Sequence, residues 1–185
     1  MWSSRLSGNG APLMPDTRRL FFALWPTAEL RDALVARMAA MTHMPCRPMA
    51  PSNLHVTLAF LGSVSNARVA DLMALARGIQ FTACELAFDR LAVWKQARVL
   101  VLTAAQVPEP LQQLVDELQS RLNEAGFSVD ARPFRPHVTL ARDVKISASD
   151  EEILPIVWPA RDFVLVESVS TESGVQYKVI ATFGD

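Results

Sequence analysis

The chain has 185 residues, half of them apolar and a fifth charged, with a formal net charge of −1. That is the composition of one globular domain long enough to bury about 70% of its unfolded surface, so no disulfide or metal staple is required for folding. The near-zero charge excludes a protein that coats long nucleic acid but not a small basic pocket for one phosphate, and no run approaches the roughly 20 apolar residues of a membrane-spanning helix.

The opening residues carry Ser, Gly, Asn and Pro where a signal peptide needs its apolar run, so residues 1–17 read as a flexible tail. Cys46 and Cys84 form no CxxC pair and read as buried, reduced thiols. Together these features predict a cytoplasmic protein, and the single domain is placed at residues 18–185. A monomer with no membrane partner is expected.

Order is predicted to begin with an apolar, aromatic strand at Arg18–Trp25. Pro26 and Thr27 open a helix whose Leu30, Leu34, Val35 and Met38 recur at helical spacing. Pro45, Pro48 and Pro51 end it and hold an extended loop, and His43 just before them reads as a helix-end or solvent-facing residue. A strand follows at Leu54–Leu61, stopped by Gly62, then a helix at Val64–Ala76 closed by Gly78. Extended runs at Cys84–Trp94 and Arg98–Thr103 flank a turn at Lys95–Ala97. Pro108–Pro110 starts the clearest helix, with Leu111, Leu114, Val115, Leu118 and Leu122 on one stripe and Gly126 as its stop. Strands are then predicted at Phe134–Ala141, Asp162–Val169 and Gln176–Phe183, the last two joined by the turn-rich Ser170–Gly174.

Laid side by side, these elements repeat. A strand, a proline-started helix, a proline loop and His55-Val56-Thr57-Leu58 form one unit; a strand, a proline-started helix, Pro133 and His137-Val138-Thr139-Leu140 form the other, 82 residues on. The pattern predicts two lobes of similar plan packed as one α+β domain. Side chains alternate along a strand, so His55 and Thr57 share one face while Leu54, Val56 and Leu58 take the other. His137 and Thr139 oppose Val138 and Leu140 in the same way. If the lobes meet across a cleft, two imidazoles and two hydroxyls converge. Imidazoles, with ordinary pKa values near 6.5, suit a general base and a general acid at neutral pH, and hydroxyls donate to phosphate oxygens as charge develops.

The two His-x-Thr-hydrophobic segments resemble the paired signatures of the two-histidine phosphoesterase superfamily. With their flanks they are similar to its bacterial RNA 2′,3′-cyclic phosphodiesterase (2′–5′ RNA ligase-like) branch: Arg19-Leu20-Phe21-Phe22-Ala23-Leu24-Trp25-Pro26, Asn53 through Gly62, and Arg132 through Arg142. The likeness runs from Arg18 to the C-terminus. It implies a bilobal fold, two antiparallel-sheet lobes with flanking helices related by a pseudo-two-fold axis, and a site in the central cleft that uses no metal and no cofactor. The implied reaction opens a terminal 2′,3′-cyclic phosphate to a 2′-phosphate, His55 protonating the departing O3′ and His137 activating water; the residues alone leave that polarity symmetric. The implied partners are RNA 3′ ends or small cyclic nucleotides. One departure is visible, since the strand at Arg98–Leu102 lacks the aromatic residue that the resemblance leads one to expect.

A single histidine in an apolar strand is ordinarily a satisfied core residue, and the threonines suit any strand; the repeat on matching faces argues otherwise. Metal binding would want a third ligand, and neither motif is HxH or HExxH. Arg142 and Arg135 are the candidates for substrate phosphate, Arg135 by sharing the strand face of His137. Parity puts Phe60 and Phe134 on the buried side, and Phe21 and Phe22 read as core. A nucleotide- or RNA-end-binding module with little turnover is the rival function, and 2′–5′ ligation a side activity.

Overall fold

A computed structural model describes residues 16–40, 45–130, 132–145, 150–172 and 174–184. His43 and most of the expected tail lie outside the described residues. Strand β1 (Thr17–Leu24) begins at Thr17, paired with Ser65, one residue before the predicted start. Pro26 ends the extended run, and the Thr27 hydroxyl accepts from the Leu30 amide at 3.3 Å to cap α1 (Ala28–Ala39). The proline-rich segment holds a two-residue strand, β2 (Arg47–Pro48), and a 3-10 turn at Pro51–Asn53.

Strand β3 (Val56–Ser65) does not stop at Gly62. Gly62 has φ +68° at a bulge opposite Leu20, a conformation glycine adopts without strain, and the ladder runs on to Ser65. The helix expected from Val64 is therefore shorter: a 3-10 turn at Asn66–Arg68 leads into α2 (Val69–Arg77). Strands β4 (Cys84–Trp94) and β5 (Val99–Thr103) form the predicted hairpin, and Arg98 sits in its turn at φ 52°. Helix α3 (Glu109–Glu124) buries all five residues of its predicted stripe and ends just before Gly126, at φ +75°. Burying each of those side chains contributes about 1.5–3 kcal/mol.

After β6 (His137–Arg142) comes a strand that the sequence reading missed, β7 (Glu151–Ala160). Its Glu151-Glu152 start and its Pro155 and Pro159 obscure any strand period. At the sheet edge, a proline's missing N–H leaves no ladder bond unmade. Strands β8 (Asp162–Thr171) and β9 (Gly174–Gly184) close the chain as a hairpin.

Among the described residues the nine strands form one antiparallel sheet, ordered β7-β4-β5-β6-β3-β1-β8-β9, with β2 on β6. Its two halves meet where β3 lies beside β6, joined through the single pair Val56↔Val138. These valines occupy the same place in the two repeats, so the local two-fold of an antiparallel pair coincides with the two-fold relating the lobes. The lobes are thus one ladder hinged at the motif strands. All three helices pack on one face, where Leu34, Leu72 and Leu118 meet Leu54, Leu58, Leu102 and Leu140. The opposite face carries two smaller apolar patches, Phe21, Ala23, Val164 and Val166 in one half and Ala92, Val99 and Val101 in the other. Cys46 and Cys84 are unpaired and only half-buried, since each packs at the margin of the core. No helix among the described residues is long and apolar enough to cross a membrane.

Candidate active site

The Val56↔Val138 register places His55 opposite Thr139, and Thr57 opposite His137, across the joint between the halves. All four are half-buried, whereas Leu54, Val56, Leu58, Val138 and Leu140 are buried on the helix side, as alternation predicts. One antiparallel pair thus gathers both His/Thr sets on the open face of the sheet.

Each ring is aimed by a carbonyl two residues before it. His55 Nδ1 donates to the Asn53 carbonyl at 2.7 Å, and His137 Nδ1 donates to the Arg135 carbonyl at 2.8 Å. A carbonyl only accepts, so in the neutral rings the proton sits on Nδ1 and Nε2 keeps its lone pair. His55 Nε2 accepts from the Thr57 hydroxyl at 3.0 Å.

The surroundings push both imidazoles below their ordinary value. Burial is the main cause for His55, and the nearby His137 and Arg142 charges add to it; against the pull of the Asn53 carbonyl, the ring is lowered to about 4. His137 is lowered by burial, opposed by the Arg135 carbonyl. Both imidazoles therefore lie below the ordinary value near 6.5 expected from the sequence.

Aromatic rings explain that burial. Phe21, Trp25 and Tyr177 surround His55, with ring centroids at 5.0, 6.0 and 5.1 Å. Phe21 is buried, as expected, but on the cleft side rather than in the main core. In the other half, Val99 and Val101 occupy the place that Phe21 and Ala23 hold in the first. The missing aromatic is made good by Trp94, the cross-strand partner of Val99, whose ring lies 4.4 Å from that of His137. The sequence reading assigned no role to Trp25, Trp94 or Tyr177. It also passed over Asn53, which is buried and accepts from the Tyr177 amide at 3.1 Å while donating to the Val175 carbonyl at 2.8 Å. Asn53 thereby ties β9 to the carbonyl that aims His55.

Phe60 is a correction. It is 45% exposed and lies on the cleft face, because the β1–β3 register skips Leu58 and shifts the alternation by one. Phe134 is half-buried and lines the cleft as well as touching the core. Phe60 stands between two chambers. The first, of about 800 Å³, is lined by Thr57, His137, Trp94, Phe134 and Arg135. The second, of about 680 Å³, is lined by Phe21, Asn53, Tyr177, Arg19, Arg47 and Arg142. The structure thus separates the two candidate arginines. Arg135 precedes β6 instead of lying on its face and enters the first chamber, while Arg142 ends β6 and opens into the second. Among the described residues, no three His, Cys, Asp or Glu side chains gather as a metal-ligand set.

Two imidazole/hydroxyl pairs across a cleft suit proton transfer around a phosphorus centre, and known proteins share the arrangement's framework. The sequence profile described as 2′-5′ RNA ligase superfamily matches residues 26–169. The RNA 2′,3′-cyclic phosphodiesterase of Escherichia coli is 41% identical over 133 residues, covering 70% of this chain and 74% of that protein. The Thermus thermophilus protein of the same name is 31% identical over 185 residues, with 89% of each chain covered. The crystal structure of E. coli LigT complexed with 3′-AMP superposes with a TM-score of 0.82 at 32% identity, covering 91% of this chain and 98% of that one. The chain belongs to the 2′-5′ RNA ligase superfamily.

Proposed function

We propose that the protein is an RNA 2′,3′-cyclic phosphodiesterase that hydrolyses a terminal 2′,3′-cyclic phosphate to a 2′-phosphate by general acid–base catalysis without a metal. The observation that carries this reading is the Val56↔Val138 joint, which sets His55/Thr57 and His137/Thr139 symmetrically about one point. The names of the E. coli and T. thermophilus relatives support it.

Water attacks phosphorus in line with the P–O3′ bond. His137 Nε2 takes the water proton as the new P–O bond forms, and protonated His55 Nε2 gives its proton to O3′ as that bond breaks. The Thr57 and Thr139 hydroxyls donate to the two non-bridging oxygens, where negative charge grows. Burial keeps His55 neutral at pH 7, so its acid role depends on the substrate: a phosphodiester anion against Nε2 favours the imidazolium. The low ring pKa then makes the charged form a strong donor. Arg142 and Arg135 approach the phosphate from opposite chambers.

Both motifs come from one chain, which supports a monomeric site within a single domain beginning near residue 18. The two free thiols fit a cytoplasmic location. An oligoribonucleotide ending in a 2′,3′-cyclic phosphate is the test substrate. His55→Ala and His137→Ala should each lower its turnover by about 10²–10⁴-fold, the usual worth of a proton-transfer partner. Near-normal turnover in either variant would overturn the mechanism.

A further inference from the structure

The second chamber has more positive charge than one reacting phosphate needs. Arg19, Arg47 and Arg142 all line it, and among the described residues no acidic one does, although the chain as a whole carries a net charge of −1. Arg47 and Arg142 are direct cross-strand partners in the β2–β6 pair. Like charges opposite one another on antiparallel strands are destabilising unless an anion relieves them. Strand β2 is only two residues long and pairs with β6 alone; what it accomplishes is to hold Arg47 beside Arg142. Asp143 offsets part of the charge through a 3.0 Å contact with Arg47, but both side chains are largely exposed and such a pair is weak enough for a phosphate to displace. Arg19 reaches in from β1, its guanidinium 5.8 Å from the Phe60 ring centre. Each chamber is large enough for one nucleotide-sized ligand, so the cleft exceeds the needs of a mononucleotide.

We propose that the second chamber is a track for the RNA backbone 5′ of the reacting end, where Arg19 and Arg47 hold upstream phosphodiesters. The proposal rests on the phosphodiesterase reading and specifies its substrate: cyclic-phosphate ends of oligoribonucleotides in preference to mononucleoside 2′,3′-cyclic phosphates. Phe60, on the wall between the chambers, separates the terminal nucleoside from the strand behind it.

The test compares kcat/KM for adenosine 2′,3′-cyclic phosphate with that for the triadenylate ending in the same cyclic phosphate, using the wild type, the Arg19→Gln/Arg47→Gln double variant and, as a charge control away from both chambers, Arg77→Gln at the exposed end of α2. Two added phosphate contacts should make log(kcat/KM) for the trinucleotide fall with log[salt] more steeply by about 1.4, and give it an advantage of about tenfold or more at low salt. The double variant should erase that advantage and the extra salt slope while leaving the mononucleotide within about twofold, and Arg77→Gln should keep both. Equal kcat/KM for the two substrates in the wild type would overturn the track. So would an equal loss on both substrates in the double variant, or loss of the advantage in Arg77→Gln. Turnover of neither substrate by the wild type would instead refute the phosphodiesterase reading itself.

Discussion

Acidification should weaken the fold through His55. Unfolded, this imidazole titrates near 6.5; folded, burial and the neighbouring charges hold it at about 4. Below pH 6.5 the unfolded chain takes up a proton that the folded protein refuses, so the His55 contribution to stability falls from there to about pH 4 and then levels off. The full gap of about 2.5 units, at 1.36 kcal/mol per unit, corresponds to about 3 kcal/mol, and at pH 4.5 about 2–3 kcal/mol of it is already lost. The half-exposed edge of the ring makes this a ceiling. The perturbation is His55→Gln, which removes the titrating group; the assay is urea unfolding of wild type and variant at pH 7.5 and 4.5. The variant should lose about 2–3 kcal/mol less than the wild type over that interval. His137 is present in both proteins and its own titration cancels, apart from its repulsion of His55. Parallel loss of stability in the two proteins would show that the aromatic enclosure does not hold His55 neutral.

Thr57→Val and Thr139→Val should each lower turnover by about 10–10³-fold, since each removes one donor to a phosphate oxygen; unchanged rates in the double variant would return both to plain strand residues. Replacing the bridging O3′ of the substrate by sulfur supplies a leaving group that needs no proton. It should rescue His55→Ala and not His137→Ala, and the reverse result would invert the assigned polarity. Leu118→Ala, in the centre of the α3 stripe, should cost about 2–5 kcal/mol by urea unfolding without changing the pH dependence of the rate. A cost below about 1 kcal/mol would mean that the core collapses around the cavity.

What the sequence made legible follows from periodicity. Alternation along the two motif strands put His and Thr on one face and Leu and Val on the other, and the 3.6-residue stripe of α3 located its buried side. Both patterns persist because the backbone there is regular. The misreadings fall where it is not. The skipped Leu58 shifts parity and brings Phe60 into the cleft, the Gly62 bulge carries β3 past its expected stop, and the prolines of edge strand β7 hide its period. Trp94 reaches His137 through cross-strand pairing with Val99, and Asn53 acts on His55 through its own carbonyl and β9. Neither relation has a local signature in the sequence. The lowering of the His55 imidazole to about 4 was equally hidden, because the rings that enclose it come from β1, the segment after it, and β9.

The most direct test of the central claim is the identity of the product formed from a 2′,3′-cyclic-phosphate oligoribonucleotide in the presence of excess chelator, read by phosphorus NMR. The account predicts full activity and a 2′-phosphate as the sole product, because the acid is placed at O3′ and no metal takes part. A 3′-phosphate would contradict the assigned in-line geometry, and activity abolished by chelation and restored by a specific divalent ion would contradict the two-histidine mechanism.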